Sequence, residues 1–165
     1  MTSDYTDAMI EDWQAVRPDL DTSTAAVVNR VLRLARRFES DLDRVVSRFR
    51  LGRKGDFDTL AALRRTNPPS ALSPTELAAT ALITTGGMTA RLDRLEQAGW
   101  VERRPDPGDR RGILVHLTGT GRALVDEVQA ANLAQQRRLL EALSDGQREK
   151  LAGLLRRLLV ELGDV

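Results

Sequence analysis

Apolar residues recur at steps of three and four through most of the chain, the mark of helices with one buried face. Over residues 5–16, Met9, Trp13 and Val16 share a face and Pro18 ends the segment. Asp21 to Thr24 offer N-cap chemistry for a second helix, whose stripe runs Val27, Val31, Leu34, Phe38, Leu42, Val45, Phe49 before Gly52 closes it. A third helix is predicted near 56–66, stopping ahead of Asn67-Pro68-Pro69. Ser73-Pro74-Thr75-Glu76 is a capping box with proline at the first helical position, opening a short helix to about Thr80. A turn and a longer helix from about Thr85 to Ala98 follow, with Gly99 as its stop.

The period then changes. Trp100 to Arg104 can pair with Ile113 to Leu117 as a hairpin, leaving residues 105–112 as a charged tip longer than a tight turn needs. Thr118 caps a further helix, to about Ala142, and Ser144-Asp145-Gly146-Gln147 opens the last one. There Leu151, Leu154, Leu155, Leu158, Leu159 and Leu162 make a stripe broad enough for a partner subunit as well as an intrachain core. The expected fold is mainly α with a small β-hairpin, one domain over 1–165.

Composition narrows the chemistry. A chain of 165 residues with 41% hydrophobic content needs no staple to hold a core. There is no cysteine and a single histidine, His116, which removes disulfides, thiolate zinc sites, cysteine nucleophiles and multi-histidine metal sites. His116 falls on the second hairpin strand as a partly exposed residue. No apolar run reaches 18 residues and the acidic start is no signal peptide, so a cytoplasmic protein without membrane contact is expected. No histidine–nucleophile pair and no phosphate-binding glycine loop supports an enzyme, and no cofactor is expected.

The net charge of +1 conceals an asymmetry: residues 1–24 carry −5 and residues 25–54 carry +6. Of the 25 bases, 23 are arginine, the side chain suited to phosphates and base edges. Genomic base composition also favours arginine, so the excess does not decide the matter.

A short helix, a longer helix and a hairpin with an arginine-bearing tip make a winged helix-turn-helix. The second helix of the pair fits the major groove, and the tip can reach the adjacent minor groove or its phosphates. At 100° per residue, Met88, Leu92 and Leu95 form the buried stripe of that helix. The opposite arc carries Gly86, Gly87, Ala90 and Arg94, with Thr84 and Thr85 at the N-terminus. With Arg110 and Arg111 of the tip, these are the candidate DNA contacts. Arg94 can instead pair locally with Asp93 or Glu96, and a winged helix can also serve protein interaction.

Residues 73–121 resemble the MarR family of bacterial transcription regulators. The resemblance rests on Arg91-Leu92-Asp93-Arg94-Leu95-Glu96, Gly99, Asp109-Arg110-Arg111, and Leu117-Thr118 followed by Gly121. It implies dimer-forming helices at both ends (24–52 and 118–165), a DNA-binding region over 56–117, and a homodimer on a pseudopalindromic operator in double-stranded DNA.

Trp13, the run Arg17 to Asp21 and the run Phe57 to Arg65 are similar to the urate-responsive, PecS-type branch, which has an extra N-terminal helix like 5–16 here. That resemblance implies a repressor released by urate or a related purine, with Trp13, Asp58, Thr89 and Arg91 in the ligand site. A ring to stack on, a cation and a hydroxyl suit a planar anion, and Asp58 is expected to pair with Arg91 until that anion competes. Each residue also has a structural reading. Trp13 can anchor its helix in an apolar groove, and Asp58 suits a first helical turn. Thr89 can be a surface hydroxyl, and Arg91 can bind phosphate or a structural acid. The alternative function is a regulator answering to a phenolic or aromatic acid, or to no small molecule.

Overall fold

The computed structural model describes residues 3–66 and 71–163; the predicted Asn67-Pro68-Pro69 stop lies outside the described residues. The chain divides into two compact units, Met1–Arg44 and Val45–Val165.

The first unit holds α1 (Tyr5–Val16) and most of α2 (Ser23–Ser47). Asp4 starts α1 by accepting from the backbone N–H groups of Thr6 and Asp7, while the Asp7 carboxylate accepts from the Asp4 N–H. Arg30 of α2 donates to both carboxylates. The apolar face predicted for α1 is largely uncovered, with Trp13 49% and Val16 69% exposed. Val27, Val31, Leu34 and Phe38 of α2 are exposed too, and the helix ends at Ser47, short of Gly52.

The second unit carries α3 (Lys54–Arg65), β1 (Ala71–Leu72), α4 (Pro74–Thr80), α5 (Thr85–Gln97), β2 (Val101–Asp106), β3 (Asp109–Leu117), α6 (Gly119–Leu139) and α7 (Asp145–Glu161). Its core is formed by Leu60 and Leu63 of α3, Leu77 of α4, Met88, Leu92 and Leu95 of α5, Val101 and Val115 of the sheet, and Val125 and Val128 of α6. The stripe expected on the longer helix of the pair is therefore the face of α5 that packs inward. α7 has no buried residue, and Leu154, Leu158 and Leu159 are about half exposed.

The sheet departs from expectation in two ways. It has three strands in the order β1-β3-β2, because the two-residue β1 pairs with β3 (Ala71 opposite His116, Leu72 opposite Val115). Two residues carry no periodicity, so this strand is invisible before the tertiary fold exists. The hairpin is also longer than predicted. Asp106 pairs with Asp109, so the turn is Pro107-Gly108 and the charged tip residues belong to strands. The register jumps between Pro105, opposite Ile113, and Asp106, a bulge that takes up Arg110 to Gly112.

Local caps behave as their sequence requires. Ser73 and Glu76 form the reciprocal box, with the Ser73 N–H donating to Glu76 Oε2 at 2.7 Å and the Glu76 N–H donating to Ser73 Oγ at 3.2 Å. The backbone bond from Ser73, then its hydroxyl, hold the Glu76 carboxyl below its ordinary value. A depressed folded pKa means this stabilisation is present above the ordinary glutamate range and lost as pH falls through the folded value. Glu76→Ala should cost about 1 kcal/mol at neutral pH. The gap between wild type and Glu76→Gln should close as pH falls through the depressed value of this carboxyl, below the ordinary glutamate range, which thermal melts across pH would read.

Candidate nucleic-acid interface and the adjoining charged cluster

The α4–α5 turn sets the geometry of the interface. Ala81, Leu82 and Ile83 connect the helices, with Leu82 in the left-handed region (φ 51°) and almost wholly exposed. Thr84 then caps α5 by accepting from the Gly87 N–H through its hydroxyl at 3.2 Å. Thr85, Gly86, Gly87, Thr89 and Ala90 are exposed along the first two turns. A side chain at Gly86 would meet nothing within 4 Å, so this stretch is a smooth backbone surface with room for a groove edge. The Thr89 hydroxyl donates back to the Thr85 carbonyl at 3.0 Å.

α5 is tied to the wing by Arg103 of β2. Its guanidinium donates to Glu96 Oε2 at 2.6 Å and to Asp93 Oδ1 at 2.7 Å, and its backbone N–H donates to Glu96 Oε1. Burial works against the charge on Arg103, yet the hydrogen bonds to Asp93 and Glu96 outweigh it and lift its pKa above the ordinary arginine value. Arg103 thus neutralises two acids beside the exposed face of α5 and fixes the angle between helix and wing. On the wing, Arg111 is exposed in β3; the side chain of Arg110 lies outside what the structure describes.

Behind α5 lies a second constellation. Arg91 is 17% exposed and turned toward the first turn of α3. Its Nη1 donates to the Gly55 carbonyl at 3.0 Å and to Thr59 Oγ1 at 3.2 Å, and its Nε lies 3.9 Å from Asp56 Oδ1. The Asp56 carboxylate, 7% exposed, also accepts from Arg94 Nη2 at 3.1 Å. One buried acid therefore joins an inward arginine to an arginine on the exposed arc, which is 44% exposed. Gly55 makes the arrangement possible, because a Cβ there would lie 2.6 Å from Arg91 Nη2.

This corrects two expectations. The acid set against Arg91 is Asp56, while Asp58 occupies the exposed side of α3. The helix begins at Lys54, so Asp56 holds the first-turn position, and two residues turn a helix through about 200°, placing the two carboxylates on opposite faces. Arg94 pairs with Asp56 rather than with Asp93 or Glu96, both of which Arg103 engages. Asp56 and Arg103 escaped sequence reasoning because their partners are 35 or more and 7 to 10 residues away and on other elements. The polar pair Gly55-Asp56 at a helix start was the available signal. Trp13 belongs to the first unit and is half exposed there. Among the described residues, no cluster of acids or histidine is arranged to hold a metal ion, and no helix is long and apolar enough to cross a membrane.

Comparison with known proteins agrees with this architecture. Residues 52–112 match the model of the MarR family. The chain is 37% identical to the HTH-type transcriptional regulator PecS of Dickeya dadantii over 149 residues, covering 90% of this chain and 89% of that protein. A MarR family transcriptional regulator from Streptomyces coelicolor, solved in complex with DNA, superposes with a TM-score of 0.73 at 27% identity, covering 87% of this chain and 90% of the other. BpsR of Bordetella bronchiseptica, whose DNA binding is described as regulated by 6-hydroxynicotinic acid, superposes with a TM-score of 0.64 at 27% identity, covering 79% and 91%. The chain belongs to the MarR family of winged helix-turn-helix transcriptional regulators, and its similarity to PecS runs nearly end to end.

Proposed function

We propose that this protein is a homodimeric repressor that leaves a pseudopalindromic operator when urate or a related purine anion binds. The observation that carries the reading is the Asp56 carboxylate shared by Arg91 and Arg94. The ligand residues are Trp13, Asp58, Thr89 and Arg91. The DNA contacts are Thr84, Thr85, Gly86, Gly87, Ala90 and Arg94 on α5, with Arg110 and Arg111 on the wing. An anion that reaches Arg91 competes with Asp56 for the guanidinium. Asp56 then bears on Arg94 alone, and the exposed arc of α5 changes its charge geometry. Ligand and DNA are coupled because each favours a different arrangement of the same carboxylate.

Dimerisation is supported by the uncovered apolar faces: Val27, Val31 and Phe38 in the first unit, Leu154, Leu158 and Leu159 in the second. Such runs of exposed large side chains mark association surfaces. The likeness to BpsR favours one alternative effector, a small N-heteroaromatic acid.

Fluorescence anisotropy of labelled DNA from upstream of the gene tests the reading. Wild type should bind with an affinity that falls steeply with salt, as phosphate contacts release counterions. Urate should release it, and Arg91→Ala should bind DNA without answering to urate. Release by 6-hydroxynicotinate but not urate moves the assignment to the alternative. No saturable, salt-dependent binding to that DNA would sink the operator reading.

A further inference from the structure

The first unit contains a cleft of about 580 Å³ between α1 and α2, within the range of small-molecule sites. It is lined by Asp4, Tyr5 and Thr6 of the α1 start and by Arg30, Arg33, Arg36 and Arg37 of α2, with Leu34. Steps of three place Arg30, Arg33 and Arg36 along one side of the helix, with Arg37 four residues beyond Arg33, a row about 10 Å long at 1.5 Å per residue. Two of them are engaged, Arg30 by Asp4 and Asp7, and Arg37 by Asp41. Arg33 lies over the Tyr5 ring at 4.3 Å from its centroid. Among the described residues, neither Arg33 nor Arg36 has a carboxylate partner. Four of the nine bases of residues 25–54 line the cleft, and two of these, Arg33 and Arg36, are left without a carboxylate to balance them among the described residues.

A second observation points to a ligand. Thr6 is 1% exposed and its Oγ1 has no hydrogen-bond partner, the buried side-chain polar atom left unsatisfied among the described residues. A buried hydroxyl without a partner costs free energy and is rare in a native fold unless something else satisfies it. It lines the same cleft as the unpaired arginines.

We propose that this cleft binds a small molecule carrying two or more linked phosphates. A row of guanidinium groups matches several phosphate oxygens in sequence, whereas a monoanion such as urate would engage one or two of them. The site lies wholly in the first unit and involves neither Arg91 nor Asp56, so its test is independent of the urate reading.

Isothermal titration of the full-length protein with inorganic tripolyphosphate, and separately with ATP, at physiological ionic strength tests the proposal. The expected result is saturable binding of one molecule per protomer. It should weaken at least about tenfold in Arg33→Ala/Arg36→Ala, the order expected for losing two charged donors, and be unchanged in Arg156→Ala/Arg157→Ala, which removes the same charge from α7. Thr6→Val should melt no lower than wild type in the absence of phosphate yet bind tripolyphosphate more weakly. Tighter binding of ATP that is lost in Tyr5→Leu assigns a nucleotide as the source; equal binding assigns the phosphate chain alone. Absence of saturable binding, equal weakening in both double variants, or an Arg33→Ala/Arg36→Ala protein impaired only toward DNA overturns it.

Discussion

Gly121→Ala should lower the melting temperature by about 6–12 °C, the shift expected for a loss of about 3 kcal/mol in a chain of this size. A Cβ at Gly121 would sit 1.9 Å from the Trp100 carbonyl oxygen and 2.8 Å from its carbon. Both are backbone atoms that cannot rotate away. The start of α6 would have to retreat, and with it three bonds that hold the helix to the segment joining α5 to β2. These are the Thr118 N–H to the Trp100 carbonyl and the hydroxyls of Thr118 and Thr120 to the Gly99 carbonyl. Overpacking against a fixed backbone costs more than the usual 1–3 kcal/mol when no side chain can absorb it. Gly119→Ala is the control, because a Cβ there meets nothing within 4 Å. It should melt at or slightly above the wild-type temperature, since alanine is the better helix former. A Gly121→Ala melt within about 2 °C of wild type would show that α6 does not need this approach.

The second large effect is expected at Asp56. Asp56→Asn keeps the shape of the side chain and removes the charge that Arg91 and Arg94 share. Losing one partner of a buried pair is costly, but Arg94 is 44% exposed and solvent recovers part of that charge. The net destabilisation should be about 1–2 kcal/mol. The functional consequence is larger. With the competition at Arg91 removed, the urate-induced change in DNA affinity should fall from the 5–150-fold typical of coupled sites to roughly twofold or less. Asp58→Asn, on the opposite side of α3, should leave stability within about 0.5 kcal/mol. Its expected signature is a higher urate concentration for half release with the full extent of release retained. Anisotropy titrations of DNA at several urate concentrations separate the two. If Asp56→Asn responds like wild type and Asp58→Asn does not respond at all, the coupling runs through Asp58.

These two experiments fall on opposite sides of what a sequence can reveal. Gly121 was legible as part of a family pattern, but the reason for it was not. The pattern places a glycine after Leu117-Thr118, and only the folded chain shows that the Trp100 carbonyl occupies the space a side chain would take. Asp56 was legible only as one polar residue at a helix start. Asp56 and Asp58 sit two residues apart in the same polar approach to an apolar helix, and sequence gives no reason to prefer the first. The choice depends on where α3 begins and which of its sides α5 packs against.

Local physics, by contrast, was readable directly. The Ser73–Glu76 and Ser144–Gln147 boxes, the Thr118 cap and the Met88, Leu92, Leu95 stripe all follow from bonds and spacings within a few residues. The strand β1 and the two-residue wing turn did not follow, because both are defined by pairing with β3 rather than by their own residues.

By itself the sequence determined the order of the helices and the hairpin, the capped starts of α4, α6 and α7, the inward stripe of α5 and the family. Each of these is encoded by interactions within one or two helical turns or by a run of residues with a fixed spacing. The tertiary structure alone decided that Asp56 bridges Arg91 and Arg94, that Arg103 clamps the wing to Asp93 and Glu96, and that Thr6 lies buried without a partner beside unpaired arginines. Charged side chains carry no address in a sequence. Their partners are fixed only when packing of the apolar faces has set which helix surfaces meet.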